Sequence, residues 1–338
     1  DRCWWSGARR SWSGFSGASP RLLGLQRTRN HQRMKPRLVI ILGPTAVGKS
    51  TAALDLAEEL NGEIINVDSQ QVYRYMDIGT GKPSVIERAR VAHHVIDVVN
   101  PDEEFNAALF RRLASNAVAD IHRRGKIAIV CGGTGLYLKA LTRGLFEGPG
   151  QDPAIPRELE NEIAEHGLAA LYRRLEEIDP RVGSSIHPND RQRIIRALEV
   201  YRLTGKPLGE WQKAHAFGDS PFSLLKIGLH RDRAELYELI NRRSESMVRA
   251  GLLEEVRGLV AKGFALQLKP LQSVGYRQMG AVIQEKIGLE NALVEMQQET
   301  RRLAKRQLTW FRADGEIHWY HPESQKEQIL RTAREFLR

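Results

Sequence analysis

The amino-acid sequence predicts an α/β protein, in which helices flank a parallel sheet and a small all-helical insert is added. Four short apolar runs lie in the first half of the chain, at 38–42, 63–68, 93–99 and 126–135. Helical patterns separate the first run from the second and the third from the fourth, and such strand, helix, strand units form parallel sheets with right-handed crossovers. A fifth run, LLKIGL (224–229), resembles a returning strand, and the chain after residue 233 is mostly helical in pattern.

The amino-terminal segment differs in composition from the rest of the chain. Residues 1–33 are rich in Arg, Ser, Gly and Trp and contain a single acidic residue. They lack the periodicity of a helix or a strand, so we expect this segment not to fold. A transit peptide is one interpretation, but Met34 opens MKPRLVIIL as a natural start would. We therefore favour a disordered leader or a misassigned upstream extension.

The remaining chain divides into a core and an insert. The core is predicted over 34–146 and 206–338, and the insert over 147–205. The insert begins with the Pro/Gly-rich stretch GPGQDPAIP and continues with helical patterns, without a strand signal. We expect Asp190 to cap the amino terminus of its last helix and Gly205 to end that helix.

Composition limits the possible functions. The chain has 41% hydrophobic and 27% charged residues, which is ordinary for a soluble protein, and its formal net charge is +10. A positive surplus favours a polyanionic partner, although a solvated basic surface is the alternative interpretation. No apolar run approaches the roughly 18 residues of a membrane span, and Cys3 and Cys131 do not have the spacing of a zinc site. We expect a cytoplasmic monomer that makes no membrane contact.

The segment GPTAVGKS, residues 43–50, directly follows the first apolar run and matches the pattern G-x-x-x-x-G-K-[ST]. In such a loop the backbone amides at the start of a helix bind phosphate, and the glycines give the backbone room. Lys49 adds a positive charge, and the Ser50 hydroxyl is a ligand for Mg²⁺, the expected cofactor. The core is therefore predicted to be P-loop NTPase-like, with a phosphate site formed by Gly43, Thr45, Ala46, Val47, Gly48, Lys49 and Ser50.

Two more loops follow predicted strands and should lie at the same edge of the sheet. Asp68 ends the second apolar run, and its spacing leaves three roles open: a Mg²⁺ ligand, a general base, or a helix cap together with Ser69. Asp97 is a weaker candidate for the metal role. The glycine turn 132–134 follows the fourth run, and the Thr134 hydroxyl either contacts a ligand or caps a helix.

Basic residues are concentrated in one helical segment near the carboxyl terminus. At 100° per residue, RRLAKRQLTWFR (301–312) places its apolar residues on one side and its cations on the other; the cations are Arg301, Arg302, Lys305, Arg306 and Arg312. A solvated charged face is the usual explanation, yet such faces generally mix signs. The stretch SVGYRQ (273–278) adds Tyr276 and Arg277. Cations interleaved with aromatic rings suit single-stranded nucleic acid.

From about Lys35 to near Tyr320 the sequence resembles the tRNA dimethylallyltransferase (tRNA isopentenyltransferase) family, in the bacterial form without a zinc finger. Seven segments carry the resemblance in the family's order: GPTAVGKS, DSQQVYRYMDIGTGKP, HHVIDVV, GGTGLYLKAL, DRQRIIRALEVY, SVGYRQ and RRLAKRQLTWFR. The resemblance implies that dimethylallyl diphosphate donates its dimethylallyl group to the exocyclic 6-amino group of the adenosine immediately 3′ of the anticodon, tRNA position 37. Loop 43–50 would then hold the diphosphate that is released.

The resemblance also implies roles for individual residues. Asp68 would be the general base, and Thr134 and Arg233 would contact the diphosphate. The implied tRNA contacts are Asp68, Ser69, Gln70, Gln71, Gln192, Arg193, Arg196, Gly275, Tyr276, Arg277, Lys305, Arg306, Gln307 and Arg312. One departure concerns LYELI (236–240), where the family commonly has Leu-His-x-Arg-Ile. Leu239 replaces an arginine, so the role of that arginine would fall to Arg242 or Arg243, or be absent.

Other functions remain open at the level of sequence. A P-loop kinase or NTPase would use ATP, and an adenylate isopentenyltransferase would prenylate free AMP, ADP or ATP. A noncatalytic RNA-binding module would leave loop 43–50 unexplained. The insert and the basic helix favour a large RNA acceptor over these alternatives.

Overall fold

The computed structural model describes residues 35–145, 150, 152–215 and 220–338. The predicted leader, residues 1–33, lies outside the described residues. Six strands form one sheet: β1 (Arg37–Leu42), β2 (Gly62–Val67), β3 (His93–His94), β4 (Ile127–Gly132), β5 (Ser223–Leu229) and β6 (Ile317–Tyr320). Their order is β3-β2-β4-β1-β5-β6, and every neighbouring pair is parallel. The predicted α/β class is confirmed.

Helices cover both faces of this sheet and form the insert. They are α1 (Lys49–Glu59), α2 (Val85–Arg90), α3 (Ala107–Arg123), α4 (Gly135–Arg143), α5 (Ala154–His166), α6 (Leu168–Ile178), α7 (Pro180–Ser185), α8 (Arg191–Thr204), α9 (Leu208–His215), α10 (Arg233–Arg249), α11 (Leu252–Ala261), α12 (Tyr276–Ile283), α13 (Leu289–Arg312) and α14 (Lys326–Leu337). Within the described residues, no helix has both the length and the apolar character that crossing a membrane would require.

The central strand explains why the sheet is buried on both sides. Along β1, Leu38 and Ile40 pack into the cluster that contains Phe110 of α3, and Val39 and Ile41 pack into the cluster that contains α1. Successive side chains of a strand point to opposite faces, so a strand covered on both sides needs an unbroken apolar run. The run LVIIL therefore predicts an interior parallel strand correctly.

Two strands differ from the prediction. The third predicted strand, 93–99, is wrong beyond its first two residues, because Val95 and Asp97 adopt positive φ values of 61° and 53° and turn the chain out of the sheet. The strand β6 was not predicted, because its four residues, IHWY, lie in a region of mostly helical pattern. It extends the sheet beside β5, whose buried Lys226 pairs with Asp314 at 2.6 Å.

The insert helices α5 to α9 pack around a hydrophobic cluster of their own. The predicted ends of α8 are confirmed: the Asp190 carboxylate accepts a hydrogen bond from the Arg193 amide at 3.2 Å, and Gly205 ends the helix with φ of 68°. The helical region extends beyond the predicted boundary at 205, because Leu208 and Trp211 of α9 join the same cluster. No strand occurs among the described residues of the insert.

Candidate active site

The loop between β1 and α1 has the backbone of a phosphate-binding loop. Helix α1 begins at Lys49, and Gly48 precedes it in the left-handed region with φ of 108°. Gly43 has φ of 147°, and a Cβ there would lie 2.7 Å from the Leu229 carbonyl oxygen, so no other residue fits. The loop thus leaves backbone amides at the start of α1 available to an anion.

Side chains from within the loop and from α13 hold it in shape. The Thr45 amide donates a hydrogen bond to Gln307 Oε1 at 2.8 Å, and Lys49 Nζ donates one to the Pro44 carbonyl at 2.7 Å. Burial, together with the positive charge of Arg243, lowers the pKa of Lys49 to about 8. Lys49 is thus held beside the loop's anion site, with a proton that it loses more readily than an exposed lysine would.

Asp68 lies at the carboxyl end of β2, facing the phosphate loop. Its Oδ1 accepts hydrogen bonds from the Gln70 amide at 2.8 Å and the Gln71 amide at 3.4 Å, which fixes a turn. No helix follows, so the interpretation of Asp68 as a helix cap is wrong. Its Oδ2 accepts no hydrogen bond from any described residue. The carboxylate interacts electrostatically with both Lys49 and Arg243.

The second glycine turn is tied to both neighbouring loops. Thr134 occupies the N-cap position of α4, but its hydroxyl makes no capping hydrogen bond and instead accepts one from the Ser69 amide at 3.1 Å. Gln307 Nε2 donates to the Gly133 carbonyl at 3.1 Å, while Gln307 Oε1 accepts from the phosphate loop. Gln307 therefore bridges the phosphate loop and the turn 132–134.

Two cavities adjoin at Asp68. The loop cavity, of about 470 Å³, is lined by residues of the phosphate loop, Asp68, the turn at 132–133 and residues 239, 242 and 243 of α10. The helix cavity, of about 390 Å³, lies among α10, α12 and α13 and is lined by Arg277 and Arg306. The residues that line both cavities are Thr45, Asp68, Thr80, Arg243 and Leu303. A ligand in each cavity would therefore meet the other beside the Asp68 carboxylate.

The arginine at this junction is Arg243 and not Arg233. Arg243 lines both cavities, and burial lowers the pKa of its guanidinium, an effect that the negative charge of Asp68 opposes. Arg233 is exposed at the start of α10, with its guanidinium 5.1 Å from the centre of the Tyr237 ring, and lines neither cavity. The structure thus does not bring Arg233 to the site. Arg243 lies one helical turn after Leu239, so helical spacing is the signal that could have distinguished it from Arg242.

Asp97, the other acid considered for a metal role, is engaged elsewhere. Lys82 Nζ lies 2.5 Å from Asp97 Oδ1, and Arg88 Nη1 lies 2.6 Å from Asp97 Oδ2. Burial alone would raise the pKa of Asp97, but these two hydrogen-bonded cations lower it. The prediction of a metal role for Asp97 is therefore wrong.

The predicted tRNA contacts fall into three groups. The first lines the cavities: Asp68, Ser69, Gln70, Arg277 and Arg306 in the helix cavity, and Gln71 and Gln307 in the loop cavity. The second is exposed on the insert and on α13: Gln192, Arg193, Lys305 and Arg312. Arg196 belongs with these but pairs with the buried Glu199 at 2.8 Å. The third, Gly275 and Tyr276, is buried.

Two of the predicted surface features are therefore corrected. Tyr276 is 1% exposed and its hydroxyl donates to Glu255 Oε1 at 2.5 Å, so the ring is part of the core and cannot stack on a base. Arg301 donates to Asn241 Oδ1 at 2.6 Å and belongs to the contact between α13 and α10. Among the described residues, Lys305 and Arg306 have no acidic partner.

The fold and the site define a P-loop type of α/β protein, with a carboxylate between an anion-binding loop and a second cavity. The chain belongs to the IPP transferase family, whose model matches residues 71–314.

Relatives and solved structures support this assignment along most of the chain. The tRNA dimethylallyltransferase 2 of Syntrophus aciditrophicus is 51% identical over 304 residues, covering 90% of this chain and 97% of that protein. The tRNA dimethylallyltransferase of Geobacter metallireducens is 51% identical over 302 residues, covering 89% and 98%. The tRNA isopentenylpyrophosphate transferase of Bacillus halodurans is 39% identical with a TM-score of 0.67, covering 90% and 97%. A eukaryotic dimethylallyltransferase acting on tRNA is 29% identical with a TM-score of 0.76, covering 89% and 79%.

Proposed function

We propose that this protein transfers the dimethylallyl group of dimethylallyl diphosphate to the 6-amino group of the adenosine immediately 3′ of a tRNA anticodon. The observation that carries the proposal is the junction of the loop cavity and the helix cavity at Asp68. One cavity presents an anion-binding loop, and the other opens among basic side chains. A donor diphosphate and an acceptor base would thus approach the same carboxylate from two sides.

The donor diphosphate would occupy the loop cavity. Its oxygens would receive hydrogen bonds from the loop amides, and positive charge from Lys49 and Arg243. Ser50 is exposed in the first turn of α1 and lines the loop cavity, so its hydroxyl would hold a Mg²⁺ ion there. When bound there, Mg²⁺ would neutralise charge on the diphosphate.

The acceptor adenine would enter the helix cavity. A base within a stacked anticodon loop cannot reach a buried donor, so it has to be flipped out of the stack. The exposed Lys305 and the cavity residues Arg277 and Arg306 would contact the RNA backbone around it. The side chains of α12 and α13 that line the helix cavity would place the 6-amino group of the adenine next to Asp68.

The reaction follows from this arrangement. The adenine amino nitrogen forms a bond to the first carbon of the dimethylallyl group, while the bond between that carbon and the diphosphate oxygen breaks. The electron pair of the broken bond leaves with diphosphate, where Lys49, Arg243 and the loop amides stabilise it. The proton of the amino group passes to Asp68, whose Oδ2 has no described hydrogen-bond partner.

The proposal extends to the active form of the protein. One chain supplies both cavities and the residues between them, so we propose that the monomer is active. Because tRNA is the proposed acceptor, we also propose that the protein works in the cytoplasm. Size-exclusion chromatography with light scattering, on protein that retains transfer activity, tests the oligomeric state.

A transfer assay with three separate acceptors tests the function. The purified chain is incubated with Mg²⁺ and radiolabelled dimethylallyl diphosphate, and with undermodified tRNA, AMP or ATP. We expect label on tRNA alone, at the adenosine 3′ of the anticodon after nuclease digestion. Label on AMP or ATP would place the protein among nucleotide-prenylating enzymes, and hydrolysis of ATP without transfer would make it an NTPase.

A further inference from the structure

Arg231 contacts the phosphate loop and does not line the loop cavity. It lies between β5 and α10, and its side chain is only 6% exposed. Its Nε donates a hydrogen bond to the Val47 carbonyl oxygen at 3.2 Å. The same guanidinium pairs with Glu323 at 2.6 Å and with Glu235. A charged side chain buried to this degree is thus fixed by three partners, one of which is the loop backbone.

The carbonyl that Arg231 contacts lies at the most strained part of the loop. Ala46 and Gly48, on either side of Val47, both have positive φ, at 65° and 108°. The left-handed region costs a residue other than glycine about 1 kcal/mol, so Ala46 needs compensating contacts. The Val47 carbonyl and the Gly48 N–H belong to one peptide plane, so a donor that fixes this carbonyl also fixes the direction of that amide.

Binding of an anion would increase the need for this contact. Lys49 Nζ donates to the Pro44 carbonyl and so helps to close the loop. A diphosphate would draw the Lys49 ammonium toward itself, and the loop would then lose that bond. Two side-chain contacts that would remain are those of Gln307 with the Thr45 amide and of Arg231 with the Val47 carbonyl.

We propose that Arg231 is a positioning residue that holds the phosphate loop in its anion-binding conformation. Its guanidinium is anchored by Glu323, which lies in the connection from β6 to α14, so the carboxyl-terminal segment supports the loop as well. This inference rests on the proposed function, because it takes a diphosphate as the ligand of the loop. Arg231 does not touch that ligand and acts through the backbone of Val47.

A comparison of three variants with a matched control tests the proposal. Arg231→Ala removes all three contacts, Arg231→Lys keeps a charge without the planar fork, and Glu323→Gln removes one anchor. The control is Arg334→Ala, which removes an exposed ion pair of 2.9 Å between α14 and Glu59 of α1 without touching the loop. Binding of inorganic diphosphate and of dimethylallyl diphosphate, both with Mg²⁺, is measured by calorimetry.

We expect Arg231→Ala to bind both diphosphates about 5- to 20-fold more weakly, with Arg231→Lys and Glu323→Gln intermediate. The KM for the donor should rise by a similar factor, while the KM for tRNA stays unchanged. Amide hydrogen exchange of residues 43–50 in ligand-free protein should be at least about tenfold faster in Arg231→Ala and unchanged in Arg334→Ala.

The outcomes separate this inference from the proposed function. Wild-type affinity and wild-type exchange in Arg231→Ala would overturn the role of Arg231. Equal losses in Arg231→Ala and in Arg334→Ala would overturn it too, because they would reflect the docking of α14 in general. A wild-type protein that bound neither diphosphate would contradict the proposed function, and the exchange of residues 43–50 would still decide whether Arg231 orders the loop.

Discussion

The loop cavity and the helix cavity are built in different ways. The anion site of the loop cavity comes from consecutive residues, 43–50, and largely from their backbone. The helix cavity takes side chains from α10, α12, α13 and the loop after β2, which are distant in sequence. A site made of backbone is encoded by a local pattern, whereas a site made of side chains depends on which residues the tertiary fold buries.

Replacing the carboxylate at the junction of the cavities should have the largest effect. Asp68→Asn keeps an oxygen for the Gln70 and Gln71 amides, so the turn is preserved. The amide cannot accept the proton, and general-base help is typically worth about 10²–10⁴-fold. We expect a single-turnover rate lower by roughly that factor, with binding of donor and tRNA retained. A loss of less than tenfold would show that Asp68 is not the base.

Asp97 provides the contrasting acid. Asp97→Asn would weaken the ion pairs with Lys82, whose side chain is 1% exposed, and with Arg88. We expect a loss of about 1–3 kcal/mol in the free energy of unfolding, measured in urea. The single-turnover rate of the folded protein should stay at the wild-type value. A rate loss comparable to that of Asp68→Asn would return Asp97 to the active site.

The affinity for the donor should depend on pH through Lys49. Lys49, with a pKa of about 8, is protonated below that pH and loses its charge as the pH rises through it. Phosphate groups, with a second pKa of about 6, are already ionised there. We therefore expect donor affinity to fall above pH 8, by at most about tenfold per pH unit, in calorimetry at pH 7, 8 and 9.

The Cys131 thiol, which also lines the loop cavity, does not contribute to this pH dependence. Burial raises the pKa of the Cys131 thiol to about 11, so the thiol stays neutral from pH 7 to 9. Lys49→Arg serves as the control, because arginine remains charged throughout. A flat profile in the wild-type protein, or an equally steep one in Lys49→Arg, would contradict the assignment of the pH effect to Lys49.

Sequence reasoning was most successful where the backbone decides. The motif 43–50 predicted the phosphate loop and the helix that begins beside it, because only glycine tolerates the conformations at Gly43 and Gly48. The prediction of the third strand failed after His94. The apolar run continues in the sequence to residue 99, but Lys82 and Arg88 pair with Asp97 and draw it out of the sheet. Those contacts span loops and helices that no local pattern joins.

The cations of α13 differ in their contacts. Lys305 and Arg306 are exposed, whereas Arg301 donates to Asn241 and stacks 5.9 Å from the centre of the Tyr237 ring. The double variant of Lys305 and Arg306 to Ala should weaken tRNA binding and reduce its salt slope by about 0.7–0.9 for each phosphate that is no longer neutralised. Arg301→Ala should leave the slope unchanged and lower the free energy of unfolding by about 1 kcal/mol. Filter binding at several salt concentrations measures both slopes. A smaller slope in Arg301→Ala, with an unchanged slope in the double variant, would contradict the assignment of these cations from the structure.

The smallest effect on transfer is expected at Tyr276, which the sequence placed on the RNA surface. The Glu255 carboxylate accepts a hydrogen bond from the Tyr276 hydroxyl and another from the Ile78 amide at 2.7 Å. Tyr276 and Glu255 together therefore fix the loop that follows Asp68. Tyr276→Phe removes one hydrogen bond to a charged group, and we expect the free energy of unfolding to fall by about 1–2 kcal/mol while tRNA affinity and transfer rate stay unchanged.

Arg277, next to Tyr276 in the sequence, has a different environment. Arg277 is exposed and lines the helix cavity, so Arg277→Ala should weaken tRNA binding without lowering the free energy of unfolding. Adjacent residues of one motif would then act on different quantities, since α12 turns Tyr276 into the core and Arg277 toward the cavity. If Tyr276→Phe weakened tRNA binding as much as Arg277→Ala, the ring would have to reach the RNA, and the assignment of Tyr276 to the core would fail.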